Sequence, residues 1–204
     1  MTKWQEVIKD LTANSSGLVT DQLGWQQALQ ELADQHGSLA QHRALAHCQD
    51  PHSMTATVLE QVRNAPNQMQ QAIACYAVAS LEASRRQCWE LHASMGKSRI
   101  IACMALMAQS MKMFRQVHIL IPSGALLRRD IKEYDDYWVL AGLEKVIKYH
   151  EKLDFKPAEK DLVIVDEADK LVLDDPSKFR TLTACCSYIC LTASLPDCSQ
   201  GKLE

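Results

Sequence analysis

The chain has 204 residues, 47% of them hydrophobic, which is enough for one sizeable core with or without a helical appendage and too apolar for wholesale disorder. Its net charge of −3 supplies no long-range attraction toward nucleic acid or an anionic membrane. No apolar run approaches the ~20 residues of a membrane span, and the N-terminus lacks a basic-then-apolar secretory layout, so a cytoplasmic protein is expected.

In chain order, residues 1–84 read as an N-terminal helical segment of rather polar texture. Trp4, Val7, Ile8 and Leu11 share one helical face, and the Asn14-Ser15-Ser16-Gly17 cluster breaks the pattern. Asp21 is placed to cap a second helix, with Trp25, Leu29 and Leu32 on one face, until Gly37 ends it. After a loop around Pro51, a short helix is expected over 54–63, and Asn67 opens a longer, Ala- and Gln-rich helix to about Ser84.

From residue 85 to 204 short apolar runs alternate with helical periodicity, which predicts an α/β domain built on a parallel sheet. Strands are expected at 88–92, 117–121, 162–165 and 188–191, with helices at 98–113 and 125–134. The region 138–150 reads equally as helix or strand. Ile101, Met104, Met107 and Met111 recur at helical spacing and read as core packing.

Cys75, Cys88 and Cys103 lie inside apolar stretches, and Cys185, Cys186 and Cys190 flank the last strand. Without a signal peptide, they read as reduced, buried thiols. Cys185, Cys186, Cys190 and Cys198, or the His42, His47, Cys48 and His52 stretch, are the two alternatives for a metal site. Both lack the paired knuckle spacing of zinc sites.

Two stretches carry chemistry. Ser94, Met95, Gly96, Lys97, Ser98 and Arg99 join a strand to a helix N-terminus. A triphosphate requires backbone N–H donors, a lysine across the β- and γ-phosphates and a hydroxyl on Mg²⁺, and Gly96-Lys97-Ser98 supplies these in order. The loop departs from the usual pattern upstream, with Leu91 where the first glycine would stand and Ser94 in place of a second. Further on, the apolar run LVIV ends in Asp166-Glu167-Ala168-Asp169, at the strand end where open parallel sheets hold their ligands. Asp166 suits the Mg²⁺ shell and Glu167 suits polarising an attacking water. Arg128 and Arg129 read either as phosphate contacts or as part of a solvated helix face with Asp130, Lys132 and Glu133; the second reading is favoured because no wider basic stripe accompanies them.

These residues resemble the first ATPase domain of superfamily two helicases and translocases, a RecA-like P-loop NTPase fold. Gly96-Lys97-Ser98 resembles motif I, Val165 to Asp169 resembles motif II in its DEAD form, and Leu191 to Ser194 resembles motif III. Val117 to Asp130, VHILIPSGALLRRD, is similar to the VHVVTVNDYLAKRD stretch of SecA-type preprotein translocases, and Glu90 before the loop resembles the SecA-type E-M-x-T-G-E-G-K-T. The resemblance covers residues 87–196. It implies ATP and Mg²⁺ as ligands, Lys97 and Glu167 as catalytic residues, and residues 94–99 on the phosphates. Ser98 and Asp166 would hold the metal, with Thr192 and Ser194 coupling nucleotide state to movement. It also implies a second RecA-like domain, in cis or in trans, that closes the cleft and supplies an arginine finger, and a protein or nucleic-acid substrate. Gln71 is the candidate for the adenine-reading glutamine, with a plain surface residue as its alternative. The terminal Leu203-Glu204, a pair common at cloning junctions, suits a piece of a longer motor.

Two functional readings therefore stand. One is the nucleotide-binding half of an ATP-driven helicase or translocase with little hydrolysis of its own. The other is a degenerate, non-hydrolysing nucleotide-binding or protein-interaction module. A plain helical scaffold is a distant third, requiring the absence of strands.

Overall fold

The computed structural model describes residue 50 and residues 52–81, 85–91 and 95–193. The helices expected before Gly37, the His42–Cys48 stretch, Ser94, Ser194 and Cys198 lie outside the described residues. The elements are α1 (Met54–Leu59), α2 (Gln68–Ser80), β1 (Arg86–Glu90), α3 (Lys97–Ser110), β2 (Val117–Leu120), α4 (Gly124–Ala141), β3 (Ile147–His150), β4 (Leu162–Val165), α5 (Ala168–Asp174), α6 (Pro176–Cys185) and β5 (Ser187–Thr192).

The five strands form one all-parallel sheet in the order β1-β5-β4-β2-β3. β2 and β4 are buried at every position, as VHIL and LVIV require when helices cover both faces. α3 and α4 are the crossover helices that the sequence alternation predicts, whereas α5 and α6, between β4 and β5, are not among the expected elements. α3 is buried at nine consecutive positions, Ile100 to Ala108, so Ile101, Met104 and Met107 of the stripe lie in the core, while Met111 at its end is half-buried. Met104 and Met107 are 0% and 1% exposed.

Three expectations change. The Gln-rich α2 is not a polar surface helix, since Ala72 to Ala79 are all buried and share one hydrophobic cluster with α3 and the sheet. Its alanines are small enough for close helix approach, and its glutamines sit at the helix start, where Asn67 and Gln70 form a reciprocal capping box. α4 runs past Tyr134 to Ala141, because Tyr134, Tyr137 and Trp138 bury one face while Asp135 and Asp136 stay exposed on the other. Gly142, at φ 66°, then ends it in the left-handed conformation that glycine adopts without strain. This resolves 138–150 into a helix end, a turn and strand β3. Among the thiols, Cys75, Cys103, Cys186 and Cys190 are buried as expected, but Cys88 and Cys185 are exposed. No helix of the described residues is long and apolar enough to cross a membrane.

Candidate functional site

Because all strands are parallel, their C-terminal ends share one edge, and the residues singled out above collect there. The register pairs Glu90 with Thr192, Val165 with Cys190, and Leu120 with both Val165 and His150. Leu91 and Asp166 extend this ladder, donating their N–H groups to the carbonyls of Thr192 at 2.8 Å and Leu120 at 2.9 Å. The strand of Thr192 thus lies between the strand that feeds the glycine loop and the strand that ends in Asp166.

The loop delivers Gly96 as the N-cap of α3 at φ 71°, ψ 50°. Glycine suits this left-handed backbone, and a Cβ would stand 2.5 Å from Gln70 Nε2, the far end of a side chain that would have to shift. No side chain caps α3; Arg99 N–H donates back to the Gly96 carbonyl at 3.0 Å, which leaves the N–H groups of Lys97 and Ser98 as the donors at this helix start, reinforced by the helix dipole. Lys97 opens the helix and donates to the Leu91 carbonyl at 3.5 Å. Ser98 is half-buried, and Arg99 is exposed. Met95 is buried, and its carbonyl accepts from Gln70 Nε2 at 2.8 Å.

Across β5, Asp166 is 5% exposed. Burial pushes its carboxyl up to about 6, the nearby Lys97 charge pulls it down, and the charges of Glu167 and Asp130 push it up again. Its Oδ1 accepts from the Glu167 N–H at 2.9 Å. Glu167 sits at φ 48°, ψ 46°, a left-handed conformation that costs a non-glycine residue of order 1–3 kcal/mol and that clusters at functional sites. Its carboxylate receives Lys170 Nζ at 2.8 Å. Thr192, 1% exposed, donates its hydroxyl to Asp169 Oδ1 at 2.8 Å, tying β5 to the helix that follows Asp166.

Lys97 and Asp166 are thus brought within electrostatic reach, and Thr192 is bonded to the acidic strand end. Ser98 and Asp166 are not bonded to each other. The Ser98 hydroxyl instead accepts from Arg129 Nη2 at 2.8 Å. Arg129 also forks onto Asp130, a carboxylate only 2% exposed, at 2.8 Å through Nε. Arg128 and Arg129 are both exposed, and Arg129 pairs with Asp130 and Glu133 as the solvated-face reading has it, with the Ser98 contact in addition. No family model matches the chain, and no curated protein matches it.

The edge therefore presents open helix N–H donors, one ammonium, one guanidinium and two buried carboxylates around a single loop. Such a set suits a polyanion with a divalent cation: donors and cations face the anion, and Asp166 with Ser98 offers hard oxygen ligands. Reading the sequence missed Gln70 and favoured the solvated face for Arg129. Gln70 stands one residue from the glutamine chosen, and Gln71 instead donates to the Pro66 carbonyl at 2.9 Å. The spacing Asn67-x-x-Gln70 was the available signal, because a capping-box glutamine is held at the first helical turn rather than free on the surface. Arg129 is among the candidates read from sequence, but its contact with Ser98 leaves no local signal, since Ser98 belongs to another helix.

Proposed function

We propose that this chain is the nucleotide-binding, first RecA-like domain of a DEAD-type helicase or SecA-like translocase, a P-loop NTPase unit that binds ATP with Mg²⁺. One observation carries the reading. The glycine loop with Lys97, the Thr192 strand end and the Asp166-Glu167 strand end lie side by side on one edge, coupled by the Lys97 charge on Asp166 and by the Thr192–Asp169 bond.

In this reading the N-terminus of α3 and Lys97 hold the phosphates, Ser98 and Asp166 hold Mg²⁺, and Glu167 orients the attacking water. Mg²⁺ would supply charge neutralisation on the β- and γ-oxygens. Thr192 transmits nucleotide state through Asp169, with Ser194 beside it in sequence. A second RecA-like domain provides the arginine finger, whose absence lowers turnover by roughly 10³–10⁵-fold. The chain by itself is thus expected to bind Mg-ATP weakly and to hydrolyse it very slowly. Calorimetry with Mg-ATP on the wild type and on Lys97→Ala tests this. Heat of binding that vanishes in the variant supports the proposal, whereas a silent wild type overturns it.

A second reading, a non-hydrolysing nucleotide-binding or interaction module, draws on the self-occupied state of the loop. Lys97 is turned back onto Leu91, and Arg129 takes the Ser98 hydroxyl. Binding without turnover, unrescued by a supplied second domain, would favour it.

A further inference from the structure

At the opposite edge of the sheet, where strands begin, a cleft of about 640 Å³ opens. Its cations come from three separate segments: Arg85 before β1, Lys112 and Arg115 in the turn between α3 and β2, and Lys160 before β4. Against these four stand two carboxylates, Glu159 on the rim and Asp161 beneath, an excess of two positive charges on a chain whose net charge is −3. Arg85 pairs with Glu159 at 3.5 Å, and Arg115 forks onto Asp161 through Nε at 3.0 Å and Nη2 at 2.9 Å. Lys112 and Lys160 are exposed and form no ion pair among the described residues.

The cations are held rather than merely present. Asp161, 1% exposed, fixes the Arg115 guanidinium while that side chain stays 58% exposed, leaving Nη1 open. The Arg115 N–H donates to the Lys160 carbonyl at 2.8 Å, locking the two cation-bearing loops together. Lys112 stands at φ 54°, a conformation glycine adopts freely and lysine only against steric resistance. Its turn is held by Lys112 N–H to Gln109 at 2.9 Å, Met113 N–H to Ala108 at 3.1 Å, and Gln109 Nε2 to the Phe114 carbonyl at 3.2 Å. Beside the cations, the cleft also has an apolar wall of Leu81, Met113 and Phe114.

We propose that this cleft is a second binding site, for a small organic phosphate: a dianionic phosphoryl group on Lys112, Lys160 and Arg115, with its organic body against Phe114 and Met113. Its volume falls in the range of small-molecule sites. Two ammonium groups and a fixed guanidinium favour a compact dianion, and the apolar wall favours an ester over the bare ion. The site lies at the other end of the strands from Lys97 and is independent of the proposal for that edge.

The test is a nuclear magnetic resonance titration of the full chain with phenyl phosphate, with single-stranded oligonucleotide and neutral benzyl alcohol in parallel. Phenyl phosphate is expected to shift residues 112–116 and 159–161 with millimolar affinity, unchanged in Lys97→Ala. Losing one charge-assisted contact weakens such binding roughly ten-fold, so Lys112→Glu with Lys160→Glu should reduce it by at least that factor. Lys112→Gln with Lys160→Gln provides the same loss if charge reversal impairs folding. No shifts, shifts confined to 95–99 that disappear in Lys97→Ala, equal binding of benzyl alcohol, or binding of the oligonucleotide alone would each overturn the proposal.

Discussion

Asp166 concentrates the tension between stability and function in this molecule. Its folded carboxyl titrates at about 6 against an ordinary 3.8, chiefly because it is buried. Between those values the folded chain holds a proton that the unfolded chain has released. Its contribution to stability therefore rises as pH falls from 6 to 3.8, and the buried charge is a standing cost above 6. Asp166→Asn is expected to stabilise the unliganded chain by about 1–3 kcal/mol near neutral pH. The gain should fade toward pH 4 in urea titrations, while Mg²⁺-dependent nucleotide binding is lost. A variant that is destabilised at neutral pH would show that the carboxylate is structural. The place of Asp166 at a buried strand end was legible in the sequence because an apolar strand followed by two carboxylates is a local pattern. The contacts of Gln70 and Arg129 were not, since each is defined by the neighbour it meets across the fold: the Met95 carbonyl for one, the Ser98 hydroxyl for the other.

Between elements, two contacts deserve separate tests. α2 and α3 pack together within one hydrophobic cluster, and Ala77 of α2 is 0% exposed. Ala77→Leu should overpack this seam and destabilise the chain by about 1–3 kcal/mol in denaturant titrations. An unchanged midpoint would mean that the helices are not closely packed there. The second contact joins β2 to β3 on the sheet's other face. His150 Nε2 and His118 Nδ1 lie 2.9 Å apart, His118 Nε2 lies 3.4 Å from Asp161 Oδ2, and Phe155 stacks on both rings. Arg115, and hydrogen bonds from Ala158 and His118, hold Asp161 below the usual carboxylate range despite its burial. His118 therefore donates to it, and His150 donates to His118. Burial lowers His118 and brings His150 down to about 4, with the His118 and Lys148 charges adding to the fall in His150 and Asp154 opposing it. Depressed histidines are neutral in the fold, so their contribution to stability is full above 6.5 and is lost as pH falls toward 4. His150→Phe should flatten the pH dependence of unfolding across that window, opposite in sign to the Asp166 effect. A wild-type profile equally steep in the variant would remove the pair as its cause.

For the whole molecule, the texture change near Ser84 does not coincide with an edge of the hydrophobic cluster, which takes in α2 as well as α3 and the sheet. A chain beginning at Arg85 would uncover α3, whose positions from Ile100 to Ala108 are all buried. Such a chain is expected to lose near-ultraviolet circular dichroism and resonance dispersion while keeping helical signal, as loosely packed states do. A cooperative unfolding transition from the shortened chain would show that the α/β part is self-sufficient.

Local patterns decided what the sequence determined by itself. Alternating strand and helix periodicity specified an α/β chain, LVIV specified a strand covered on both faces, and the two motifs specified where polar chemistry collects. Strand order was a tertiary matter. That β5 inserts between β1 and β4, setting Thr192 between the glycine loop and Asp166, depends on which edges remain open once helices cover both faces. The burial of α2 was decided the same way, because alanines read as neutral in sequence and become core only when a second helix lies close enough to cover them.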